Sequence, residues 1–450
     1  MPDHLAAMFP ADFVWGAATA SYQIEGAATD DGRGESIWDR FSATPGNVRN
    51  GDTGAVACDF YHRYGDDIRL MRELGIDAFR FSIAWPRVLP EGRGRVNDAG
   101  LAFYDRLVDA LLESGIEPYV TLYHWDLPQT LEDRGGWTSR ETVDAFGEYV
   151  ETVSARLGDR VHRWITHNEP QVASWAGYGS GAHAPGRRSK ADATAAAHHL
   201  LLSHGRAVEI LRAADPKAAV GITLNLYSVQ AVSDDDAAVQ TARRIDGGDN
   251  RWFLDPVFRG EYPDDVLELL EDAAPPVEDG DLAEISVPLD FLGVNNYSRL
   301  AIGEGGKVLH NQSSVYTDMD WEVYPDGLYD VLMRLHHEYA VPSVYVTENG
   351  AAFGDVRGHD GAVLDPERQD YLDGYIGAVG RAVQAGAPVH GYFVWSFLDN
   401  FEWAHGYSKR FGIVYVDYPT LERIPKGSFH WYRDLIREHR AAASPAVRTA

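Results

Sequence analysis

The sequence predicts an α/β chain folded as a single (β/α)8 TIM barrel, on three observations. Eight short apolar, β-branched or aromatic runs recur along 450 residues, longer amphipathic stretches separate them, and several runs end in polar or carboxylate side chains that a core would reject. The runs are Phe13–Ala20, Ala78–Trp85, Pro118–His124, Trp164–Asn168, Val220–Leu226, Phe291–Tyr297, Ser343–Glu348 and His390–Phe397. Near-continuous apolar character means burial on both faces, as in a parallel sheet. Between the runs, stretches such as Asp98–Ser114 place Leu101, Tyr104, Val108 and Leu111 at gaps of three and four, one apolar stripe on a helix. Two inserts, Asp234–Pro276 and Ala301–Asp326, read as long functional loops at the mouth of the barrel. No composition shift, linker or repeat divides the chain, so residues 1–450 are expected to form one catalytic domain.

The polar strand ends locate a site. Strand three ends His124-Trp125-Asp126, strand four His167-Asn168-Glu169, strand seven Glu348-Asn349; strand six carries Asn295-Asn296-Tyr297, and strand eight runs into Trp395-Ser396-Phe397. Barrel active sites lie at the C-terminal ends of the strands. Glu169 and Glu348, each followed by a helix-breaking residue (Pro170, Gly350), would face one another across that mouth. Either tripeptide alone is as well explained by a turn; the joint placement is the signal. Two opposed carboxyls are what acetal cleavage requires, one to protonate the leaving oxygen and one to meet the oxocarbenium-like carbon. Trp125, Trp321, Trp395 and Trp403 offer flat faces for a pyranose, and Gln23, His124, Asn168 and Glu402 offer groups for its hydroxyls.

Composition excludes several classes. With 45% hydrophobic and 24% charged residues the chain is neither disordered, collagenous nor coiled coil. The 68 acidic against 40 basic residues leave a formal charge of −28, which repels phosphate backbones and anionic lipid, so neither nucleic acid nor membrane is an expected partner. Cys58 is the single cysteine, and the first twenty residues carry Asp3 and Asp12 around an apolar run too short for a signal peptide; a cytoplasmic protein is expected. A homo-oligomer is compatible with the sequence.

Rival motifs fail on context. His198, His199 and His204 lack a His-Glu-x-x-His spacing and read as packing or solvated residues. Gly177-Tyr178-Gly179-Ser180-Gly181-Ala182 follows no apolar strand and reads as a loop, and no Gly-x-Ser-x-Gly elbow is present.

Ordered motifs then carry a resemblance over essentially the whole chain. They are Phe13 to Gly26, Phe79 to Arg87, Tyr123 to Pro128, Thr166 to Pro170, Val346 to Gly350 and Trp395 to Trp403. The chain resembles glycoside hydrolase family one, the retaining β-glucosidases. The resemblance implies Glu348 as nucleophile, Glu169 as acid/base, Arg80 and Tyr297 beside the nucleophile and Asn295 near the acid/base. It implies Gln23, His124, Asn168, Glu402 and Trp403 as holders of the sugar hydroxyls, with Asn168 on the 2-hydroxyl. Trp395 would be the platform under the sugar, and Asn225 and Trp321 would lie toward the aglycone.

A guanidinium and a phenol beside a nucleophilic carboxylate favour its ionised form, whereas an acid must be held protonated, here by the neighbouring charge of Glu348. Glu169 is not the Gln that marks thioglucosidases. Position 402 is Glu where the related 6-phospho-glycosidases carry Ser, which favours a neutral sugar; Lys409 and Arg410 nearby read as loop charge. A sugar-binding protein on a decayed barrel would have lost a matched residue, and none is changed. A transglycosylase would use the same residues. Gln171, directly after the Asn-Glu-Pro, departs from the bulky residue of relatives. The expectation is a retaining β-glucosidase acting on terminal β-D-glucosides, cellobiose-like, aryl or alkyl, with no metal or organic cofactor.

Overall fold

The computed structural model describes residues 3–443; residues 1–2 and 444–450 of the expected single domain lie outside the described residues. Eight strands are numbered here along the barrel: β1 (Val14–Ala18), β2 (Ala78–Ser82), β3 (Glu117–Tyr123), β4 (Arg163–Asn168), β5 (Ala219–Asn225), β6 (Phe291–Asn295), β7 (Val344–Asn349) and β8 (Val389–Trp395). All pair in parallel with their sequence neighbours, and β1 pairs with both β2 and β8, so the sheet closes. Each of the eight apolar runs overlaps one of these strands, whose start falls within one residue of the start of the run. The closed α/β barrel is as the sequence predicts.

The strands alternate between two cores. On β2, Phe79 and Phe81 belong to the large outer cluster against the helices, whereas Ala78 joins Ala18, Tyr119 and Phe393 in a small inner cluster. Arg80, two residues from Ala78, shares its side of the strand and is fully buried. An arginine at an inward position is affordable only with a partner, which the site supplies. Helices between strands follow the predicted stripe: Asp98–Glu113 buries Leu101, Tyr104, Leu107, Val108 and Leu111. Helix Phe60–Leu74 ends at Gly75, whose left-handed φ of 80° lets its amide reach the Met71 carbonyl.

Two expectations change. The stretch 234–276 is not a long loop: it folds into helices Asp236–Asp246, Trp252–Arg259 and Asp264–Leu270, because Trp252, Phe253, Leu254 and Val257 bury a continuous apolar face. Gly177 to Ser180 lie in a π-helical turn, Trp175–Ser180, rather than a loop. The three histidines are packing residues on helix Lys190–Ala214. His198 bonds Asp281 (2.9 Å) and Tyr262 (3.0 Å), His199 the Trp137 carbonyl (2.9 Å) and His204 the Thr166 hydroxyl (2.7 Å). Among the described residues no helix is long and apolar enough to cross a membrane.

Candidate active site

Both glutamates emerge where the sheet register slips. The β4–β5 register shifts between Ile165 and Asn168, and the β7–β6 register between Val346 and Glu348. Irregularities of this kind re-aim a side chain at a strand end. Glu169 takes a left-handed φ of 46° and caps the short helix Pro170–Ser174, whose proline is suited to a first helical position. Trp125 (φ 77°) and Trp403 (φ 45°) are also left-handed, so three of the predicted site residues occupy a backbone region that non-glycine residues rarely adopt. Gly350 directly follows the end of β7 and is also required for a close approach. A Cβ there would stand 1.6 Å from the Trp395 carbonyl oxygen, so the glycine admits close passage of β8.

The two carboxyls have unlike partners. Arg80 donates to Glu348 Oε1 in a fully buried ion pair, and the Tyr297 hydroxyl donates to Oε2 at 2.5 Å. Glu169 receives only amides, from Asn295 (2.6 Å) and Asn225 (3.2 Å). Burial, then the charge of Glu348, pushes the Glu169 carboxyl up to about 8. Glu402 is pushed up to about 8 by burial and by both of the other glutamates. Burial and Glu348 likewise keep the Tyr297 phenol protonated, and burial beside Arg80 holds His124 neutral.

A second set of bonds holds these groups. Asn168 Oδ1 accepts from Arg80 (2.6 Å) and from Asn295 (3.1 Å), while its amide nitrogen lies 3.0 Å from His124 Nε2. Gln23 donates to Asn400 and to the Phe401 carbonyl, both at 3.0 Å, and to Glu402 at 3.4 Å. Thr121 accepts from Arg80 Nε at 3.2 Å. Gln23 Oε1, His124 Nδ1 and Asn225 Oδ1 are buried without a partner in the protein, a pattern that suits a hydroxyl-rich ligand.

A cavity of about 310 Å³ opens over these residues. Glu169, Glu348, Glu402, His124, Asn225 and Tyr297 line it, as do all four predicted indoles, Trp125, Trp321, Trp395 and Trp403. Gln23, Arg80, Asn168 and Asn295 stand one step behind, holding residues that do. Gln171 does not line the cavity; it is buried and donates to the Asn225 carbonyl at 3.2 Å. Sequence reasoning missed Val172, His183, Tyr227, Met319, His405 and Phe411 on the wall. Val172 lies on the short helix Pro170–Ser174 and the others in connections without periodicity, and only the His405 neighbourhood, inside the polar-aromatic Trp403 stretch, carried a signal.

The segment bearing Glu402 is pinned from below. Lys426 reaches Asp399 (2.7 Å) and Asp355 (2.5 Å), Arg368 pairs with Asp355 (2.8 Å) and with Asp365, and Arg410 pairs with Asp399 (2.6 Å). Three carboxylates and three cations thus tie the segments after β7 and β8 together. Arg410 is therefore committed, and Lys409 caps the Asp318 carbonyl, a more specific role than loop charge.

A closed parallel barrel with three buried carboxyls and four indoles at its C-terminal mouth has the form of a glycoside hydrolase. The chain belongs to glycosyl hydrolase family 1: the sequence model so described matches residues 5–441. It is 49% identical over 444 residues to a protein named beta-glucosidase A from Acetivibrio thermocellus, covering 96% of this chain and 98% of that one. It is 49% identical over 437 residues to a beta-glucosidase A of Thermotoga maritima, with the same coverage. The solved structure of a beta-glucosidase from Thermotoga maritima in complex with deoxynojirimycin superposes with a TM-score of 0.93 at 48% identity, covering 96% of this chain and 99% of that one.

Proposed function

We propose that this chain is a retaining β-glucosidase, a single catalytic domain that hydrolyses terminal non-reducing β-D-glucosides, cellobiose-like, aryl or alkyl, by double displacement. The observation that carries the reading is the asymmetry of the two carboxyls: Glu348 is held by a guanidinium and a phenol, Glu169 by neutral amides beside a negative charge. The names of the relatives agree with it.

In the first step Glu348 attacks the anomeric carbon while Glu169 gives its proton to the departing glycosidic oxygen. The glycosyl ester that forms removes the charge of Glu348, and with it one cause of the raised Glu169 carboxyl. Glu169 is then a carboxylate able to take a proton from water, which attacks the same carbon and releases Glu348. This sequence calls for carboxyls about 5–5.5 Å apart, leaving no room for a water between them. Asn168, fixed by Arg80 and His124, would meet the 2-hydroxyl, and Trp395 would lie under the ring.

A neutral sugar fits best. No Lys or Arg is among the described residues that line the cavity, while three glutamates are, so a phosphate would find no cation there. The lone Cys58, buried with its thiol donating to the Asp399 carbonyl, is in keeping with a reducing cytoplasm. The test is release of p-nitrophenol from the aryl β-glucoside and from its 6-phosphate. Cleavage of the first alone is expected. Cleavage of the phosphate alone would overturn the neutral-sugar assignment, and silence on both would overturn the activity.

A further inference from the structure

Past the end of β4 the chain turns into a helix, and a side chain takes over the pairing with β5. The Glu169 amide donates to the Thr223 carbonyl at 2.9 Å, which carries the β4–β5 ladder one residue beyond β4. A parallel ladder repeats every second residue, so the next donor falls at residue 171 and the next acceptor is the Asn225 carbonyl, at the end of β5. By residue 171 the backbone already belongs to the helix Pro170–Ser174. The Gln171 side chain supplies the bond instead, its amide nitrogen donating to the Asn225 carbonyl at 3.2 Å.

That carbonyl belongs to a residue on which the acid/base depends. The Asn225 side chain donates to Glu169 Oε2 at 3.2 Å, a longer bond than the 2.6 Å that Asn295 makes to Oε1. A bond at that length is the one a small shift of its donor breaks first. Gln171 is 4% exposed and does not line the catalytic cavity, and its own Oε1 is buried without a partner in the protein. A bare buried acceptor costs stability that an apolar side chain of similar size would avoid. Packing therefore does not account for an amide here, whereas the bond to Asn225 does.

We propose that Gln171 is a positioning residue for the acid/base: by holding the Asn225 carbonyl it fixes the end of β5 and keeps the Asn225 amide on Glu169 Oε2. Amide donors favour the ionised form of a carboxyl. Asn225 thus opposes the burial and the Glu348 charge that raise Glu169, and it makes Glu169 a better proton donor to the leaving oxygen. The proposal rests on the glucosidase reading and deepens it by adding a residue that acts on the acid through another.

The experiment compares Gln171→Met, which keeps the length of the side chain and removes the donor, with the native enzyme on methyl and p-nitrophenyl β-glucosides. The alkaline limb of kcat/KM reports loss of the Glu169 proton. In the variant it should move upward by about half a unit to one unit. kcat on the methyl glucoside should fall by about three- to tenfold, more than on the aryl glucoside, with KM within about twofold of native. Gln171→Leu, a second apolar replacement, should behave alike. In an Asn225→Ala background, where no side-chain amide is left to position, Gln171→Met should move the limb no further. A limb that stays in place in both single variants, in an enzyme that cleaves p-nitrophenyl β-glucoside, overturns the positioning role alone. A shift of the same size in the Asn225→Ala background also overturns it. Failure of the native chain to cleave any β-glucoside overturns both the role and the activity it rests on.

Discussion

Arg80 on β2 reaches across the barrel to Glu348 on β7, and the two side chains, 0% and 4% exposed, form an ion pair that water barely touches. A buried carboxylate without its cation is costly, so Arg80→Met should do two things at once. It should destabilise the protein by about 3–5 kcal/mol, read as a lowered Tm, and reduce kcat by at least about 10²-fold. A variant with native Tm and turnover would show that the pair matters to neither.

Glu169→Ala should separate the two halves of the reaction. Alkyl glucosides, whose leaving groups need a proton, should lose about 10²–10⁴-fold, and activated aryl glucosides far less in the first step. Azide should restore turnover on the aryl substrate by replacing water as the nucleophile. Equal losses on both substrates with no azide effect would remove Glu169 from the role of acid.

The pH profile follows from the raised Glu169 carboxyl. A group pushed up to about 8 remains protonated below that pH and loses its proton above it, so kcat/KM should fall on the alkaline side near pH 8. Because Glu348 contributes to the rise, Glu348→Gln should abolish turnover and move the Glu169 titration downward, as read by carbon NMR of labelled glutamate. A Glu169 titration that does not move would assign the rise to burial alone.

The burial of Glu402 beside two other glutamates costs stability when its carboxyl ionises. Its carboxyl is raised in the folded chain, so the native state binds the proton more tightly than the unfolded state does. Stability therefore declines as pH rises from the ordinary glutamate range near 4.5 toward 8. Glu402→Gln removes this ionisation. It should raise Tm by a few degrees above pH 8, with the gain fading toward pH 4.5, while KM for glucosides increases. A Tm that falls at every pH would contradict the sign.

Lys426 is fully buried between Asp355 and Asp399. Lys426→Met should cost about 3–5 kcal/mol, because it leaves two carboxylates short of a cation. It should also loosen the segment that carries Glu402 and Trp403, raising KM more than it lowers kcat. Thermal unfolding and steady-state kinetics on the same preparation would show whether the cluster positions the site or only stabilises the fold.

Much of this molecule is legible in its residue order. A strand buried on both faces must be apolar along its length, so the eight runs mark the eight strands directly. Residues that a core rejects stand out at their ends, which is why Glu169, Glu348, His124 and Tyr297 could be named from their positions. The stretch 234–276 reads as a loop from its length between strands, whereas Trp252 to Val257 bury a helix face within it. His183, Tyr227 and Phe411 were invisible for another reason: each joins the wall from an aperiodic connection.

The sequence by itself determined the strand order, the family motifs and the pair of carboxyls. Only the tertiary structure decided that Gln23, Asn168, Arg80 and Asn295 stand behind the wall, and that the carboxyl of Glu402 is raised as well as that of Glu169. The reason is distance along the chain. Arg80 and Glu348 are 268 residues apart, and desolvation and charge act through space, so their effect on a carboxyl exists only once the barrel has closed.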